Sequence, residues 1–242
     1  MSEQRDRPGR WWPLGLGVVV TVVVALLNLD VRIQDGLARP QSLDWVLSGN
    51  GFERWVYHQG PLLPMSFFVA GLVVWLGSFG VRRWRRWRRT GAYVVLCMLL
   101  GPGLVVNAIF KDHYGRPRPK QTERYGGSFA YKGAWEIGYP RKCKSFPCGH
   151  ASIAFFYMGG YFLWYQKRRR LAQASLAVGV ICGAVAGYLR MGVGAHWFSD
   201  VVWSGIFVYY CSYASAWLAG VGGLRRTVAD EAQEDEAFDV AA

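Results

Sequence analysis

At 242 residues the chain is long enough for one or two domains, and 52% of it is hydrophobic, with Trp, Tyr and Phe supplying 16%. Its charges stand in clusters between long uncharged runs, which favours an integral membrane protein over a soluble one. The net charge of +12 does not point to nucleic acid, because the basic residues lie beside apolar segments instead of forming one soluble face.

The apolar run from Trp11 to Leu29 follows Arg5, Arg7 and Arg10 and reads as a first membrane span. Its length exceeds a signal-peptide core of about 7 to 15 residues, and no small-x-small cleavage site follows closely. Residues 30–60 mix charges with Gly, Pro and aromatics, and Leu43, Trp45, Val46 and Trp55 predict a short amphipathic helix on the membrane surface with a structural role. A second span is expected over 61–80. It stops at residues 81–89, where six arginines alternate with Trp84 and Trp87, a pattern suited to a cytoplasmic turn with tryptophans at headgroup level. A third span over 91–110 ends in Lys111, and the loop from there to His150 holds nine Lys or Arg against three acids. Spans four to six are expected over 151–166, 171–189 and 201–223, followed by an acidic, disordered tail over 227–242.

The prediction is therefore an all-α, polytopic membrane bundle of about six helices in one domain, residues 1–226. Dense Lys/Arg at the N-terminus and around 82–89, 167–170 and 225–226 makes that side, with both termini, cytoplasmic. The basic loop 111–144 then lies on the outer side, where the same rule disfavours positive charge, so it needs a local reason such as a bound anion.

Cys97, Cys182 and Cys211 sit in apolar runs and read as core residues, whereas Cys143 and Cys148 stand five apart in the polar loop. Those two form either a disulfide in an oxidising outer compartment or two free thiols. No His/Cys set has the spacing of a zinc site, so neither a metal nor another cofactor is expected.

Chemistry concentrates on the outer face. Asp200 follows His196 by four residues, which is one helical turn, and a carboxylate there can accept a hydrogen bond from one ring nitrogen and leave the other free. Such a pair is more often structural than catalytic, and it gains weight from its neighbours. Lys111, Arg116 and Arg118 precede stiffening prolines, while Gly149 at the start of span four exposes backbone N–H groups suited to phosphate. Arg190 and His150 complete a group of cations, free donors and two histidines of the kind that phosphoryl transfer needs. Arg116 either binds ligand or pairs with Asp112. His113 and His58 read as structural or surface residues, and Glu123 and Glu136 as balancing the loop's arginines.

Lys111 with Arg118-Pro119, then Pro147-Cys148-Gly149-His150, then Arg190, five residues, His196, three residues and Asp200 together resemble the signature of the type 2 phosphatidic acid phosphatase superfamily. The vanadium haloperoxidases share that signature, and the resemblance covers about 90–210. It implies that His196 attacks phosphorus to give a phosphohistidine while Asp200 orients its ring. Lys111, Arg118, Arg190, the Gly149 backbone and the residue at Cys148 would hold phosphate, and His150 would protonate the leaving alcohol and later activate water. Two positions depart from the pattern: Cys148 and Leu189 stand where the family usually has serine, and a thiol is the weaker donor.

The Gly-Arg-Pro-Arg-Pro start and the long loop after it are most similar to bacterial lipid A phosphatases. The expected activity is a metal-independent lipid phosphatase at the outer face of the plasma membrane, with a phosphorylated lipid and the bilayer as its partners. No nucleic acid or obligate protein partner is expected. Undecaprenyl diphosphate or phosphatidylglycerophosphate hydrolysis, lipid phosphotransfer, and lipid-phosphate binding with weak catalysis remain the alternatives. A soluble haloperoxidase-like enzyme fits poorly with six apolar runs, and a transporter would need charges along a path through the midplane.

Overall fold

The computed structural model describes residues 12–39 and 44–223. The N-terminal arginines, Leu43 and the acidic tail therefore lie outside the described residues. Helix dominates, and the expected all-α class is the observed one. Helix α1 (Trp12–Leu27) is followed by α2 (Leu29–Leu37) at an angle of 69°, and Asn28 between them takes a left-handed conformation at φ 49°. The first apolar run thus ends in a sharp corner. That corner sends Asp30 and Gln34 inward, where both are fully buried.

A two-residue antiparallel pair, β1 (Ala38–Arg39) with β2 (Asp44–Trp45), leads to α3 (Gly51–Gln59). The predicted amphipathic helix accordingly starts later than expected. Trp45 and Val46 precede it, and Asn50 caps it by accepting from the N–H groups of Phe52 and Glu53. Helix α4 (Leu62–Gly80) continues in nearly the same line, so that Gly51–Gly80 forms one 30-residue stretch. Only 17% of its most apolar window is buried, which leaves Leu62, Leu76 and Phe79 facing outward, as a lipid-contacting helix requires.

The arginine-rich turn leads to α5 (Arg88–Met98), which widens to i→i+5 hydrogen bonding over Leu99–Phe110 and ends in the single turn α6 (Lys111–His113). Pro102 sits inside the widened part, where its carbonyl accepts from the Asn107 side chain at 2.6 Å. After a long loop the chain re-enters through α7 (Gly149–Phe155) and α8 (Gly160–Trp164), joined by a tighter 3-10 turn. It then turns into α9 (Arg169–Met191) and α10 (Phe198–Ala219).

Among the described residues three helical stretches are long and apolar enough to cross a membrane: Gly51–Gly80, Arg82–His113 and Arg169–Met191. The bent pair α1–α2 makes a fourth if it counts as one span. The remaining two expected spans are present as helices. The Gly149–Trp164 stretch is short and broken, and α10 buries a polar row of Ser199, Asp200, Ser204, Ser212 and Ser215. Length and apolarity alone therefore do not carry the count to six.

Helix α10 is the central post. It packs against α1, the widened helix, α7 and α9, and its Val208 and Tyr209 join Tyr93, Met98, Phe155 and Phe162 in the main apolar cluster. Helix α9 comes close because Gly183 and Gly187, one turn apart, face the Phe155 ring and Val201; a Cβ at either position would run into those side chains. This close approach brings the C-terminal end of α9 and the N-terminal ends of α7 and α10 to one end of the bundle.

Candidate active site

Three distant segments are tied together at that end by hydrogen bonds that do not depend on any ligand. The Trp197 indole donates to the Pro117 carbonyl at 2.8 Å, and the Lys120 N–H donates to the Gly194 carbonyl at 3.1 Å. The Cys148 N–H donates to the Asp200 carbonyl at 3.2 Å, and the Ser204 hydroxyl returns a bond to the Cys148 carbonyl at 3.0 Å. From α2, the Gln34 amide donates to the carbonyls of Met191 and His196. The loop before them is clasped at Gly115, whose φ of 70° and close approach to Tyr139 and Pro140 leave no room for a side chain.

Lys111 leaves the widened helix beside the start of α7. Its ammonium donates to Asn107 Oδ1 at 3.0 Å and lies so near Gly149 that a Cβ there would stand 2.9 Å from Nζ. A glycine at position 149 is therefore what lets the lysine reach the exposed N–H end of the helix. Arg118 is half-buried and no ion pair ties it to a carboxylate among the described residues. Arg190 donates from one terminal nitrogen to Glu53 at 2.7 Å and sits 4.6 Å over the Tyr57 ring, while its Nε is buried without a partner. The other face of the site carries His150, whose ring stacks on Tyr57 at 4.4 Å.

Burial first, and then the positive groups Arg190, His196, Lys111 and Arg118, push the His150 imidazole down to about 4. His150 is thus neutral near pH 7, and residues from the first and third sequence motifs act on it at once. Lys120, which carried no signal in the sequence, belongs to the same neighbourhood: burial and the charges of Arg118 and Arg190 lower its ammonium below the usual value. Burial alone would lower His196 too, but the Cys148 thiol and the Asp200 carboxylate outweigh it and the net shift is upward.

The His196–Asp200 pair differs from its expected form. Helix α10 begins at Phe198, so His196 stands in the loop before it and Asp200 lies in its first turn. The carboxylate caps that helix by accepting from the Trp197 N–H at 2.9 Å, and His196 Nδ1 approaches Asp200 Oδ2 at 3.5 Å without completing a hydrogen bond. Asp200 is instead held by Ser145, at 2.6 Å, and by Arg116, at 2.5 Å.

Arg116 corrects the sequence reading most clearly. It neither faces the phosphate group nor pairs with Asp112, which binds Lys144 at 2.5 Å. Its guanidinium is fully buried and every nitrogen is used: toward the Lys132 carbonyl, Ser199, Asp200 and Asp30. A buried charge is tolerated only with such pairing. Cys143 and Cys148 are both buried free thiols, and Cys148 lies beside His196. Leu189 is buried next to Arg190. His113 contacts the Ile109 carbonyl from an exposed position, and Glu136 pairs with Lys132, as balancing residues do.

Sequence reasoning missed Glu53 and Tyr57, which α3 lays across the site, and Asp30, which reaches it from α2. Beside His150 and Arg190 opens a cavity of about 330 Å³ walled by Val56, Leu63, Ile153, Ile181 and Val185. Among the described residues no group of three or more His, Cys, Asp or Glu is placed to hold a metal ion.

A helical bundle with lipid-facing helices, carrying a cationic pocket with two histidines beside an apolar cavity, is a membrane protein built to handle a phosphorylated amphiphile. A family model described as the PAP2 superfamily matches residues 90–221, more than half the chain. The lipid A 4'-phosphatase of Francisella tularensis subsp. novicida (strain U112) is 31% identical over 189 residues, covering 77% of this chain and 84% of that one. That of Rhizobium leguminosarum is 36% identical over 110 residues, covering 43% and 44% of the two chains. A solved structure, a transmembrane PAP2 type phosphatidylglycerolphosphate phosphatase from Bacillus subtilis, aligns with a TM-score of 0.44 at 17% identity over 85% of this chain and 94% of that one. The chain belongs to the PAP2 superfamily, and it is a multi-pass membrane phosphatase.

Proposed function

We propose that this protein removes a phosphate from a lipid headgroup, a lipid A-like saccharide phosphate first among candidates, through a phosphohistidine. The observation that carries the reading is the meeting of Lys111, Arg118, Arg190 and His196 around one neutral His150, next to an apolar cavity of about 330 Å³. Substrate phosphate sits among Lys111, Arg118, Arg190 and the Gly149 N–H, which hold its equatorial oxygens as charge spreads over them. The Cys148 thiol adds a weak donor. The free nitrogen of His196 attacks phosphorus, and the P–O bond to the lipid breaks. His150 protonates the leaving oxygen, then takes a proton from water as that water attacks the phosphohistidine and releases inorganic phosphate. Asp200 offsets the positive charge that His196 gains.

His150 must be protonated for the first half of this cycle, although the cations around it hold it neutral. A bound phosphate dianion cancels those cations, so substrate itself charges the acid. The lipid A preference rests on the excess of six positive charges in the loop 111–144 and on the names of the Francisella and Rhizobium relatives. The site faces the exterior and both termini the cytoplasm, following the distribution of Lys and Arg. Residues 1–226 form one six-span domain, with the acidic tail outside it.

The test is phosphate release from lipid A, undecaprenyl diphosphate, phosphatidylglycerophosphate and simple phosphatidic acid in mixed micelles, with His196→Ala as the blank. Release from lipid A that vanishes in the variant is the expected result. Preference for another lipid would reassign the substrate, and transfer of label to a second lipid would make the protein a phosphotransferase. Binding of the lipids without release from any would leave a binding protein.

A further inference from the structure

Four groups of alternating charge run from the first bent helix to the reacting histidine. Asp30 Oδ2 accepts from Arg116 at 2.7 Å, the same guanidinium donates to Asp200 Oδ1 at 2.5 Å, and Asp200 Oδ2 stands 3.5 Å from His196 Nδ1. All three of Asp30, Arg116 and Asp200 are fully buried. Ser199 binds the chain together: its N–H and hydroxyl donate to the two oxygens of Asp30 at 2.9 and 2.6 Å, and its hydroxyl accepts from Arg116 at 2.8 Å. The Tyr131 hydroxyl lies 3.4 Å from Asp30, and its ring lies beneath the guanidinium.

None of these groups is among those that hold phosphate, and a guanidinium cannot discharge itself by losing a proton. Were Arg116 paired with Asp200 alone, the pair would be neutral and would present His196 with little negative potential. The second carboxylate changes the sum. Two buried anions against one cation leave one net negative charge directed at the imidazole.

We propose that Asp30 is a positioning residue for the phosphoryl transfer, acting through Arg116 to keep the Asp200 carboxylate effective as the counter-charge of His196. This deepens the phosphohistidine reading and rests on it. The other titratable groups facing His196 are Cys148 and His150 from the start of α7, and the phosphate-site cations Lys111, Arg118 and Arg190 act on His150. Those groups serve the substrate side. The Asp30 chain reaches the ring at Nδ1, through Asp200.

Charge removal separates this role from simple packing. In Asp30→Asn, which keeps the size and most hydrogen bonds of the side chain, kcat is expected to fall on the order of 10- to 100-fold. KM and inhibition by orthovanadate should stay within about threefold, because the phosphate-holding groups are untouched. The double variant Asp30→Asn with Arg116→Gln removes one charge of each sign and restores a single net anion at Asp200. Its kcat should return to within about tenfold of the wild type. Folding is checked by elution volume and Tm in detergent. If Asp30→Asn alone does not fold, the charge-balanced double variant carries the comparison with the wild type. A folded Asp30→Asn with unchanged kcat, losses that add in the double variant, or a folded but inactive double variant would overturn the proposal. Residual turnover in His196→Ala would overturn the phosphohistidine reading instead, whatever Asp30 does.

Discussion

Glu53 occupies the arginine that the substrate phosphate is proposed to use, so its removal has a calculable effect. The Arg190–Glu53 contact is 2.7 Å, with side chains only 15% and 12% exposed. Charge centres about 4 Å apart at an effective dielectric of about 20 interact by ~4 kcal/mol. Desolvation takes back a large part of that, and a surviving coupling of about 1.4 to 2.8 kcal/mol corresponds to about 10- to 100-fold in affinity. Glu53→Gln frees the arginine fork for an anion while Tyr57 still supports its face. Inorganic phosphate and orthovanadate should therefore inhibit the variant at concentrations about 10- to 100-fold lower than the wild type. The assay is competitive inhibition of lipid phosphate release, with Glu53→Asp as the control that keeps the charge. An inhibition constant that stays the same or rises in Glu53→Gln would mean that Arg190 is not shared between the carboxylate and phosphate.

Other expectations follow from the same geometry. His150→Ala should slow alcohol release and phosphate release together, because the same imidazole protonates the leaving oxygen and later activates water, whereas His196→Ala should take up no acid-labile label from the substrate. Labelled His150 should titrate near 4 in the free protein and at higher pH with phosphate bound, as read by nuclear magnetic resonance. Because its folded value lies below the ordinary 6.5, His150 contributes stability that is complete above about pH 6.5 and is lost as pH falls toward 4; in His150→Gln that part of the fall in Tm should be absent. Gly149→Ala would push its methyl group within 2.9 Å of Lys111 Nζ, so phosphate affinity should drop about tenfold or more with little change in Tm. For orientation, Ser128→Cys should react with an impermeant thiol reagent on intact cells and Arg86→Cys should not.

The three motif segments were legible because their chemistry is carried by residue types at fixed spacing close to helix ends, and helix ends are what the chain punctuates most clearly. Partners far apart in sequence were not legible. Short-range pattern offers Arg116 only Asp112, four positions away, because nothing in it points to Asp30, which lies 86 residues earlier and only turns inward at the Asn28 corner. Glu53 and Tyr57 looked like part of a surface helix, and their polar character fits that description until α3 is seen to lie across Arg190 and His150. The spacing of His196 and Asp200 suggested a helical turn. A capped helix start satisfies the same spacing, and the choice is made by the Trp197 N–H, which donates to Asp200 and leaves the imidazole outside the helix. Apolar runs marked the lipid-facing helices well, but α10 trades apolarity for a buried serine row, since it sits at the centre of the bundle and meets protein on most sides.

The part of this protein that can be recognised and the part that can stand alone are different lengths of chain. A fragment confined to 90–221 would keep every residue of the three motifs and yet leave behind Asp30, Gln34, Glu53 and Tyr57. It would leave the Arg116 guanidinium with Asp200 as its one carboxylate partner, a neutral pair with no net charge left over for His196. Transplanting the recognisable segment into another membrane scaffold would fail for that reason unless the first bent helix travelled with it.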